Sequence, residues 1–454
     1  MHAASHGWWQ IRPAIARRER VAIVGGGPSG LSAAYQLRRL GYRVTLVEAR
    51  GELGGLMRHG IPSYRLARDV LDAEIARIVA MDVDVRLDEE TDTPEAWAAL
   101  RAAHDAVYIA TGAQSPRRLP ALDYGKPWVA GGAAWLAAAN AGSPPALGRR
   151  IVVVGGGSAA LDVARSARRA GHEVTILALE TRARMPAQRE EVDEALEEGI
   201  ALVDGAMLVG AHEGHGDVRL DCVRVTVEPA ARRGTFTVAP IEGGVFTLAA
   251  DAIVTSIGQD PDLGALGGGV PSDGALVAVD ASQSTGAERT WAGGDVASMA
   301  RFVTDAIGQG KRAAFAIDAS LRASAGEGRR AVPVHAARPL AIPRDGLVPL
   351  AAIATHRYPH VPRAAARRRG ADARLASGDE VQLGLDVEEA LAESTRCFSC
   401  GTCIDCDVCV AVCPDLAVER ADGAYRVLGD YCKGCGLCVK ECPTGSMDMV
   451  EEVR

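Results

Sequence analysis

The sequence predicts an α/β protein with two parallel-sheet nucleotide-binding domains and a small α+β domain near its carboxyl end. Two glycine-rich turns, each between an apolar strand and a helix, begin near residues 25 and 155. Ten of the eleven cysteines lie in the last 58 of the 454 residues. Parallel strands need helical crossovers of this kind, and close cysteine spacing is typical of a metal-binding domain.

The first glycine turn lies in a strand, turn, helix and strand unit. Val21–Val24 is apolar, residues 25–30 have the spacing G-x-G-x-x-G, and the second strand ends at Glu48. In such units the glycines make the turn, admit a pyrophosphate to the helix N-terminus and pack helix on strand, while the acid accepts ribose hydroxyls. We therefore expect a Rossmann-type dinucleotide site formed by Gly25, Gly27, Pro28, Ser29, Gly30 and Glu48.

The second glycine turn repeats this unit after the apolar strand Ile151–Val154, with alanine as an allowed third member. The residue aligned with Glu48 is Ala178, but Glu180 follows closely. A carboxylate there would repel a 2′-phosphate, which favours NAD(H), whereas Arg182 and Arg184 leave NADP(H) as the alternative. The expected nicotinamide-nucleotide site comprises Gly155, Gly157, Ser158, Ala159, Ala160 and Glu180.

The cysteines near the carboxyl end form two runs with the same spacing. Each run reads C-x2-C-x2-C-x3-C followed by proline. This is the bacterial ferredoxin spacing, in which the fourth cysteine of each run ligates the cluster held mainly by the other run. We therefore expect two 4Fe–4S clusters. The first takes Cys403, Cys406, Cys409 and Cys442, and the second takes Cys432, Cys435, Cys438 and Cys413.

A disulfide scaffold and a zinc site fit the cysteines less well. Disulfides do not need an evenly spaced, repeated array with proline after its last member. A tetrahedral zinc site would leave several cysteines without a role. Cys397 and Cys400 extend the first run upstream and are either free buried thiols or alternative ligands. Cys222 stands alone and is expected to pack as a small hydrophobic residue.

Composition excludes several classes of protein. The net charge is −8, and no basic stripe with interleaved aromatic residues indicates nucleic-acid binding. Residues 1–20 contain no apolar core of a signal peptide, and nowhere do eighteen apolar residues follow one another. We therefore expect a cytoplasmic protein that binds neither nucleic acid nor membranes, in a compartment where thiols stay reduced.

Residues 18–325 resemble the flavoprotein small subunit of glutamate synthase and its relatives, which bind two dinucleotides. The resemblance rests on Gly54–Leu56, Tyr108–Gly112, Ile257–Gln259 and Trp291–Asp295. It implies that the first turn holds FAD, that an aspartate binds the ribityl chain and that a later turn donates to the isoalloxazine. The additional residues expected at the two cofactors are Gly55, Leu56, Thr91, Gly112, Gly294, Asp295, Thr304, Ala306 and Gly258.

The sequence departs from that family in two ways. Residues 1–20 contain no cysteine, so we expect the chain to lack the family's amino-terminal cysteine-rich domain, and the family's arginine pair after the second strand is replaced by Leu179 and Glu180. The second cysteine run resembles the ferredoxin subunits of 2-oxoacid:acceptor oxidoreductases. The stretch Arg396–Gly401 is similar to electron-input subunits such as the NADH-linked subunit of phenylglyoxylate dehydrogenase. The resemblance implies, as partners, the catalytic subunits of such a complex or a ferredoxin.

These observations predict five segments along the chain. Prolines after residue 326 exclude long helices from the connector, although a helix from Val387 to Arg396 is expected to lead into the cysteines. The predicted segments are an FAD-binding domain in two parts (18–120 and 259–325), an NAD(P)-binding domain (121–258), an extended linker (326–395) and a ferredoxin domain (396–454).

The expected activity is electron transfer. Hydride transfer from nicotinamide to flavin needs positioning and no catalytic side chain. Flavin can then release electrons singly to the clusters, and the expected role is that of the NAD(H)-linked subunit of a phenylglyoxylate-type 2-oxoacid:acceptor oxidoreductase. The alternatives are the small subunit of a glutamate synthase and a stand-alone NAD(P)H:ferredoxin oxidoreductase. Disulfide reduction is excluded because neither nucleotide-binding unit carries a C-x-x-C pair.

Overall fold

The structure is a computed structural model that describes residues 16–214, 216–229, 236–266, 269–326, 348–421 and 423–450. The predicted linker between 327 and 347, and the last four residues of the predicted ferredoxin domain, lie outside the described residues. The chain divides into two compact units, Met1–Arg329 with Arg369–Gln382, and Arg330–Arg368 with Leu383–Arg454. In the described part of the chain, no helix is both long and apolar enough to cross a membrane.

The strands are numbered in chain order. They are β1 Arg20–Val24, β2 Arg43–Val47, β3 Asp84–Arg86, β4 Ala106–Ile109, β5 Ser115–Pro116, β6 Val129–Gly131, β7 Arg150–Val154, β8 Glu173–Leu177, β9 Ala201–Val203, β10 Ala206–Glu213, β11 Val218–Pro229, β12 Phe236–Ala250, β13 Ala252–Thr255, β14 Gln259–Asp260, β15 Thr290–Ala292, β16 Arg367–Arg368, β17 Gln382–Gly384, β18 Val418–Ala421 and β19 Ala424–Val427.

The helices are numbered in the same way. They are α1 Pro28–Arg39, α2 Leu56–His59, α3 Arg68–Val79, α4 Pro94–Ala103, α5 Gly132–Asn140, α6 Ser158–Arg169, α7 Arg189–Glu197, α8 Val303–Ser324, α9 Ala371–Ala376, α10 Val387–Ser394, α11 Val408–Ala411 and α12 Leu437–Lys440. Helix α10 begins at the residue where the sequence predicted a helix, because Asp386 and Glu389 form a capping box there.

A five-stranded parallel sheet, in the order β15-β4-β1-β2-β3, carries the first glycine turn. Its core is apolar on both faces, as expected for a parallel sheet covered by helices. Helix α8 packs across α1, and Gly310 permits this contact because an ideal Cβ there would lie 2.2 Å from the carbonyl oxygen of Ser29. Residues far apart in sequence therefore build one side of the first turn.

A second five-stranded parallel sheet, in the order β6-β13-β7-β8-β9, carries the second glycine turn. The antiparallel sheet β10-β11-β12 is inserted between β9 and β13. This insertion was not among the features predicted from the sequence. The alternation of apolar and polar residues along Val218–Glu228 is the signal that could have revealed it.

The second unit contains two short helices, α11 and α12, each within one cysteine run, and the antiparallel pair β18-β19 between the runs. The predicted fold class is therefore confirmed: two doubly wound α/β domains and a small α+β domain. The connector is not uniformly extended, since it includes the unpredicted helix α9 in addition to the predicted helix α10. Its residues 369–382 group with the nucleotide-binding unit, whereas residues 348–368 group with the cysteine-rich unit.

Candidate functional site

The first glycine turn is packed so tightly that side chains are excluded from two of its positions. Gly25 has φ of +108°, and an ideal Cβ there would lie 2.3 Å from the carbonyl oxygen of Ala110. An ideal Cβ on Gly30 would lie 1.9 Å from the carbonyl oxygen of Gly25. Helix α1 therefore lies directly against the turn, as the G-x-G-x-x-G spacing predicted.

The N-terminus of α1, next to Gly27, is not covered by a side chain. Pro28 is at the first helical position, and no side chain caps the helix. The nearest atom to an ideal Cβ on Gly27 is the Cα of Gly55, at 4.0 Å. Because the first N–H groups of a helix have no partner within it, this end fits an anionic pyrophosphate.

Glu48 is fixed against the turn by two backbone hydrogen bonds. One carboxylate oxygen accepts from the N–H of Gly26 at 2.8 Å, and the other accepts from the N–H of Arg50 at 3.0 Å. The carboxylate is thus held at the end of β2 beside the glycines. That is the position from which an acid can accept ribose hydroxyls.

Two further glycine segments approach the turn. The N–H of Gly54 donates to the carbonyl oxygen of Gly26 at 2.9 Å, and an ideal Cβ on Gly55 would lie 2.9 Å from the Cα of Gly27. On the other side, an ideal Cβ on Gly294 would lie 3.0 Å from the Cβ of Ser29. Leu56, which follows Gly55, is the first residue of α2. The structure therefore brings the expected residues at 55–56 and 294 to the first turn.

Asp295 follows these glycines, and its half-buried carboxyl makes no hydrogen bond with another described residue. Burial raises its pKa, and the Arg301 guanidinium opposes that rise. Thr304 lies in the first turn of α8, whereas the N–H of Ala306 donates to the carbonyl oxygen of Phe302 at 3.0 Å. An unpaired carboxyl and an uncapped helix start at this place fit a polar, hydrogen-bonding cofactor.

Two residues of the predicted flavin set remain, Gly112 and Thr91. Gly112, with φ of +74°, makes the turn that follows β4. Thr91 lines a cavity of about 710 Å³ on the flank of β3, together with Arg38 and His104. The structure thus places Thr91 beyond the outer strand of the sheet, and its role stays a prediction.

The second glycine turn resembles the first at its first glycine but has room for a methyl group at its third position. Gly155 has φ of +142°, and an ideal Cβ there would lie 2.3 Å from the carbonyl oxygen of Ser256. Ala160 takes the third position and is fully buried. An ideal Cβ on Gly157 would meet no atom within 4 Å, and no side chain caps α6, which begins with Ser158 and Ala159. This helix end is also open to an anion.

Glu180 reaches the second turn although it lies two residues beyond the position aligned with Glu48. An ideal Cβ on Gly156 would lie 2.7 Å from a carboxylate oxygen of Glu180, and an ideal Cβ on Gly26 would lie 3.1 Å from a carboxylate oxygen of Glu48. The two acids therefore occupy corresponding places. Unlike Glu48, Glu180 accepts no hydrogen bond through its side chain from another described residue.

The alternative phosphate-binding arginines already have partners. Arg182 donates to Asp193 at 2.6 Å, and Arg184 donates to the carbonyl oxygen of Val227 at 3.2 Å. Gly258, at the end of the domain, has φ of +104° and accepts from the N–H of Arg117 at 3.0 Å. Both arginines are thus engaged elsewhere, whereas the carboxylate of Glu180 lies beside Gly156 in the second turn.

The two cysteine runs have matching local geometry. Asp405 and Asp407 in the first run have φ of 53° and 59°, and Gly434 and Gly436 at the same places in the second run have φ of 69° and 72°. The thiol sulfurs of Cys413 and Cys442 accept from backbone N–H groups four residues later, at 3.2 and 3.3 Å. Each run therefore follows the same path around its cysteines.

The electrostatic neighbours of Cys438 include Cys413, the expected crossing ligand of its cluster. Burial raises the pKa of Cys438, and the thiols of Cys432 and Cys413 add to the rise. Burial likewise raises the pKa of Cys409, with further contributions from its neighbours in the same run. Within the described residues, no three His, Cys, Asp or Glu side chains converge closely enough to chelate a single metal ion.

The three cysteines outside the ligand set differ in burial. Cys397 and Cys400 are exposed, so the alternative of free buried thiols is wrong for them. Cys222 is buried in the sheet β10-β11-β12, where burial raises its pKa to about 11. The expectation that Cys222 packs as a small hydrophobic residue is confirmed.

A buried ionic cluster joins the two nucleotide-binding halves, and sequence reasoning missed it. Arg65, from the first half, donates to Asp162 on α6 at 2.8 Å and also pairs with Glu191 on α7. Burial raises the pKa of Asp162 to about 6, although Arg65 opposes that rise. Glu198 is fully buried and pairs with Arg165 at 2.7 Å. Charged residues at helical spacing gave no sign that they would be buried together.

The connector contributes to this ionic cluster through its segment 369–382. Arg374 is 4% exposed and donates to Glu197 at 2.8 Å. The N–H of Val381 donates to the carbonyl oxygen of Tyr64 at 2.9 Å. The segment therefore contacts both nucleotide-binding halves.

Comparison with known proteins agrees with this arrangement. Residues 19–310 match the pyridine nucleotide-disulphide oxidoreductase family, and residues 402–446 match the 4Fe-4S dicluster domain, which begins after Cys397 and Cys400. The beta subunit of NADP(+)-dependent formate dehydrogenase from Moorella thermoacetica is 35% identical over 85% of this chain and 55% of its own length. The chain thus spans about half the length of that relative.

Two further relatives are covered over most of their length. A putative NADPH glutamate synthase small chain from Cereibacter sphaeroides is 34% identical over 67% of this chain and 78% of its own. The PreT subunit of NAD-dependent dihydropyrimidine dehydrogenase from Escherichia coli is 32% identical over 66% of this chain and 67% of its own. This chain therefore belongs to the pyridine nucleotide-disulphide oxidoreductase family and also carries a 4Fe-4S dicluster domain.

Proposed function

We propose that this chain is the NAD(H)-facing electron-transfer subunit of a larger oxidoreductase. The observation that carries the choice of nucleotide is the carboxylate of Glu180 beside Gly156. A carboxylate at that place accepts the 2′-hydroxyl of NAD(H) and repels the 2′-phosphate of NADP(H). Its unpaired oxygens leave it available for a ribose.

The residues around the two turns bind and orient the dinucleotides. The N-termini of α1 and α6 receive the pyrophosphates, Glu48 and Glu180 receive the ribose hydroxyls, and Asp295 receives a hydroxyl of the ribityl chain. When bound, FAD accepts a hydride from the nicotinamide nucleotide and supplies electrons singly to the 4Fe–4S clusters. No side chain is assigned as an acid or base.

The eight cysteines of the two runs hold the clusters, with Cys413 and Cys442 crossing between the runs. Thiolate ligands and exposed cysteines such as Cys397 and Cys400 stay reduced in a reducing compartment, so the proposal places the protein in the cytoplasm. Two clusters correspond to about eight irons per chain beside one FAD. Iron and acid-labile sulfide assays on anaerobically purified protein test this count, and a value near four contradicts it.

We further propose that the partner is the catalytic subunit of a 2-oxoacid:acceptor oxidoreductase of the phenylglyoxylate type. The resemblance of the second cysteine run to ferredoxin subunits of such complexes supports this choice. Formate dehydrogenase is the second candidate, because the Moorella relative named as its subunit matches over 85% of this chain. Glutamate synthase and a stand-alone NAD(P)H:ferredoxin oxidoreductase remain outcomes of the test.

Two measurements test the proposal. Steady-state reduction of an artificial acceptor by NADH and by NADPH gives the ratio of kcat/KM, which we expect to favour NADH. Isolation of the full chain with its bound partner, followed by NADH formation on adding a 2-oxoacid or formate, identifies the partner. A preference for NADPH contradicts the nucleotide assignment, and NADH formation from formate alone contradicts the 2-oxoacid assignment.

A further inference from the structure

Residues 348–358, which we call the brace, hold the loop at the end of the second cysteine run. The backbone N–H of Ala354 donates to the carbonyl oxygen of Cys442 at 3.1 Å. The hydroxyl of Tyr358 donates to the carbonyl oxygen of Pro443 at 3.0 Å. The brace thus binds the carbonyl of Cys442, which we expect to cross to the first cluster, and the carbonyl of the proline that follows it.

Side-chain contacts reinforce these backbone contacts. Arg357 donates to a carboxylate oxygen of Glu441 at 2.6 Å, and the Nε2 of His356 lies 3.1 Å from the same oxygen. An ideal Cβ on Gly445 would lie 2.7 Å from a methyl of Val348. The loop on either side of Cys442 is therefore in close contact with the brace.

Tyr358 also contacts the chain that leads into the first cysteine run. Its ring packs edge-on against Phe398, with centroids 4.6 Å apart. Farther along, the N–H of Gly401 donates to the carbonyl oxygen of Thr444 at 2.7 Å. One tyrosine therefore connects the approach to the first run with the loop that carries its crossing ligand.

The second crossing cysteine, Cys413, is held differently. Its carbonyl oxygen accepts from the N–H of Leu416 at 3.4 Å, within its own loop. Asp415 pairs with Lys433 of the second run at 2.6 Å. Within the described residues, these hydrogen bonds and this ion pair come from the ferredoxin fold itself, without the brace.

We propose that Tyr358 is a positioning residue for the first cluster, acting through the loop that carries Cys442. The inference rests on the cluster assignment of the proposed function. By binding Pro443 and packing on Phe398, Tyr358 keeps the Cys442 thiolate where it can meet the cluster whose other three ligands lie in the first run. The second cluster does not depend on this residue.

The test uses the full-length protein, purified anaerobically, with dithionite as the reductant. Tyr358→Phe removes the hydroxyl and keeps the ring, so the chain should fold as the unsubstituted protein does. We expect iron release to a chelator to become about fivefold faster for half of the irons, the factor that one lost neutral hydrogen bond gives. The midpoint potential of one cluster, followed by electron paramagnetic resonance, should shift while the other stays unchanged.

Two comparisons make the result specific. Tyr358→Ala, which also removes the ring contact, should affect the same cluster more strongly. Lys433→Ala, the matched loss of a contact beside Cys413, should affect the other cluster. Equal acceleration of all irons, or release and potentials like those of the unsubstituted protein, overturns the proposal. Because dithionite replaces NADH, failure of NADH to reduce the protein would contradict the proposed function and leave this result unaffected.

Discussion

The two glycine turns have the same contact at their first glycine, but they differ at their third position and in the hydrogen bonds of their acidic residue. In both, an ideal Cβ on the first glycine would lie 2.3 Å from a carbonyl oxygen at the end of a neighbouring strand. At the third position, Gly30 has no room for a methyl group, whereas Ala160 carries one. Glu48 accepts two backbone hydrogen bonds, and Glu180 accepts none from the described residues. The acid of the first turn is therefore held in place without a ligand, which suits a retained flavin, whereas the acid of the second turn is not held in this way, which suits a nucleotide that exchanges.

The largest expected effect comes from adding a methyl group at the third position of the first turn. Gly30→Ala would place its Cβ 1.9 Å from the carbonyl oxygen of Gly25, so α1 must move away from β1. We expect loss of FAD and a destabilisation of at least about 3 kcal/mol, the upper end for overpacking. Flavin absorbance of the purified protein and thermal unfolding measure both.

The matched control is Ala160→Gly in the second turn. It removes a methyl group that the structure accommodates, so FAD content should not change and the cost should be about 1 kcal/mol, the usual penalty of glycine in a helix. Equal FAD loss in both variants would contradict the contrast between the turns.

The next effect concerns the ion pair that joins α6 of the second turn to the flavin-binding half. Arg65→Met leaves Asp162 and Glu191 without their cation, and both carboxylates are buried. Breaking such a pair costs about 3 kcal/mol. Arg77→Met, which removes an exposed pair with Glu74, should change stability by less than about 1 kcal/mol. Denaturant unfolding of the two variants decides whether this ionic cluster stabilises the protein.

Removing each acid separates the roles of the two turns. Glu48→Ala leaves the N–H groups of Gly26 and Arg50 without their acceptor, and hydrogen bonds to a charged group contribute about 2 kcal/mol. Glu180→Ala breaks no hydrogen bond among the described residues, so stability should stay near that of the unsubstituted protein while KM for NADH rises. Thermal unfolding and steady-state kinetics test the two variants. A large stability loss in Glu180→Ala would show that this acid is structural.

The smallest effect is the change of nucleotide preference. Glu180→Arg replaces a side chain that repels the 2′-phosphate of NADPH by one that attracts it. We expect the ratio of kcat/KM for NADH to that for NADPH to fall about tenfold, which corresponds to about 1.4 kcal/mol. Arg182→Ala should leave the ratio nearly unchanged, since Arg182 is paired with Asp193. If Arg182→Ala instead lowers activity with NADPH selectively, Arg182 is the residue that binds the phosphate.

Features that depend on local sequence could be predicted, and features that depend on distant packing could not. The glycine spacings specify turns directly, so the strands, helices and turns around Gly25 and Gly155 were predicted, whereas the short helices and the hairpin of the cysteine-rich domain were not. The connector was predicted to be extended because its prolines are visible, but the burial of Arg374 depends on acids nearly two hundred residues earlier. The place of Glu180 beside Gly156 likewise depends on the path of the chain after β8.

The most direct test of electron flow from NADH through the flavin to the clusters is an anaerobic titration of the full-length protein with NADH. Absorbance follows the flavin, and electron paramagnetic resonance follows the clusters. We predict that NADH bleaches the flavin and also produces the cluster signal, with a total uptake of about four electrons per chain, two by FAD and one by each cluster. Flavin bleaching without a cluster signal, when dithionite added afterwards does produce that signal, would contradict the claim that the clusters receive electrons from NADH through the flavin.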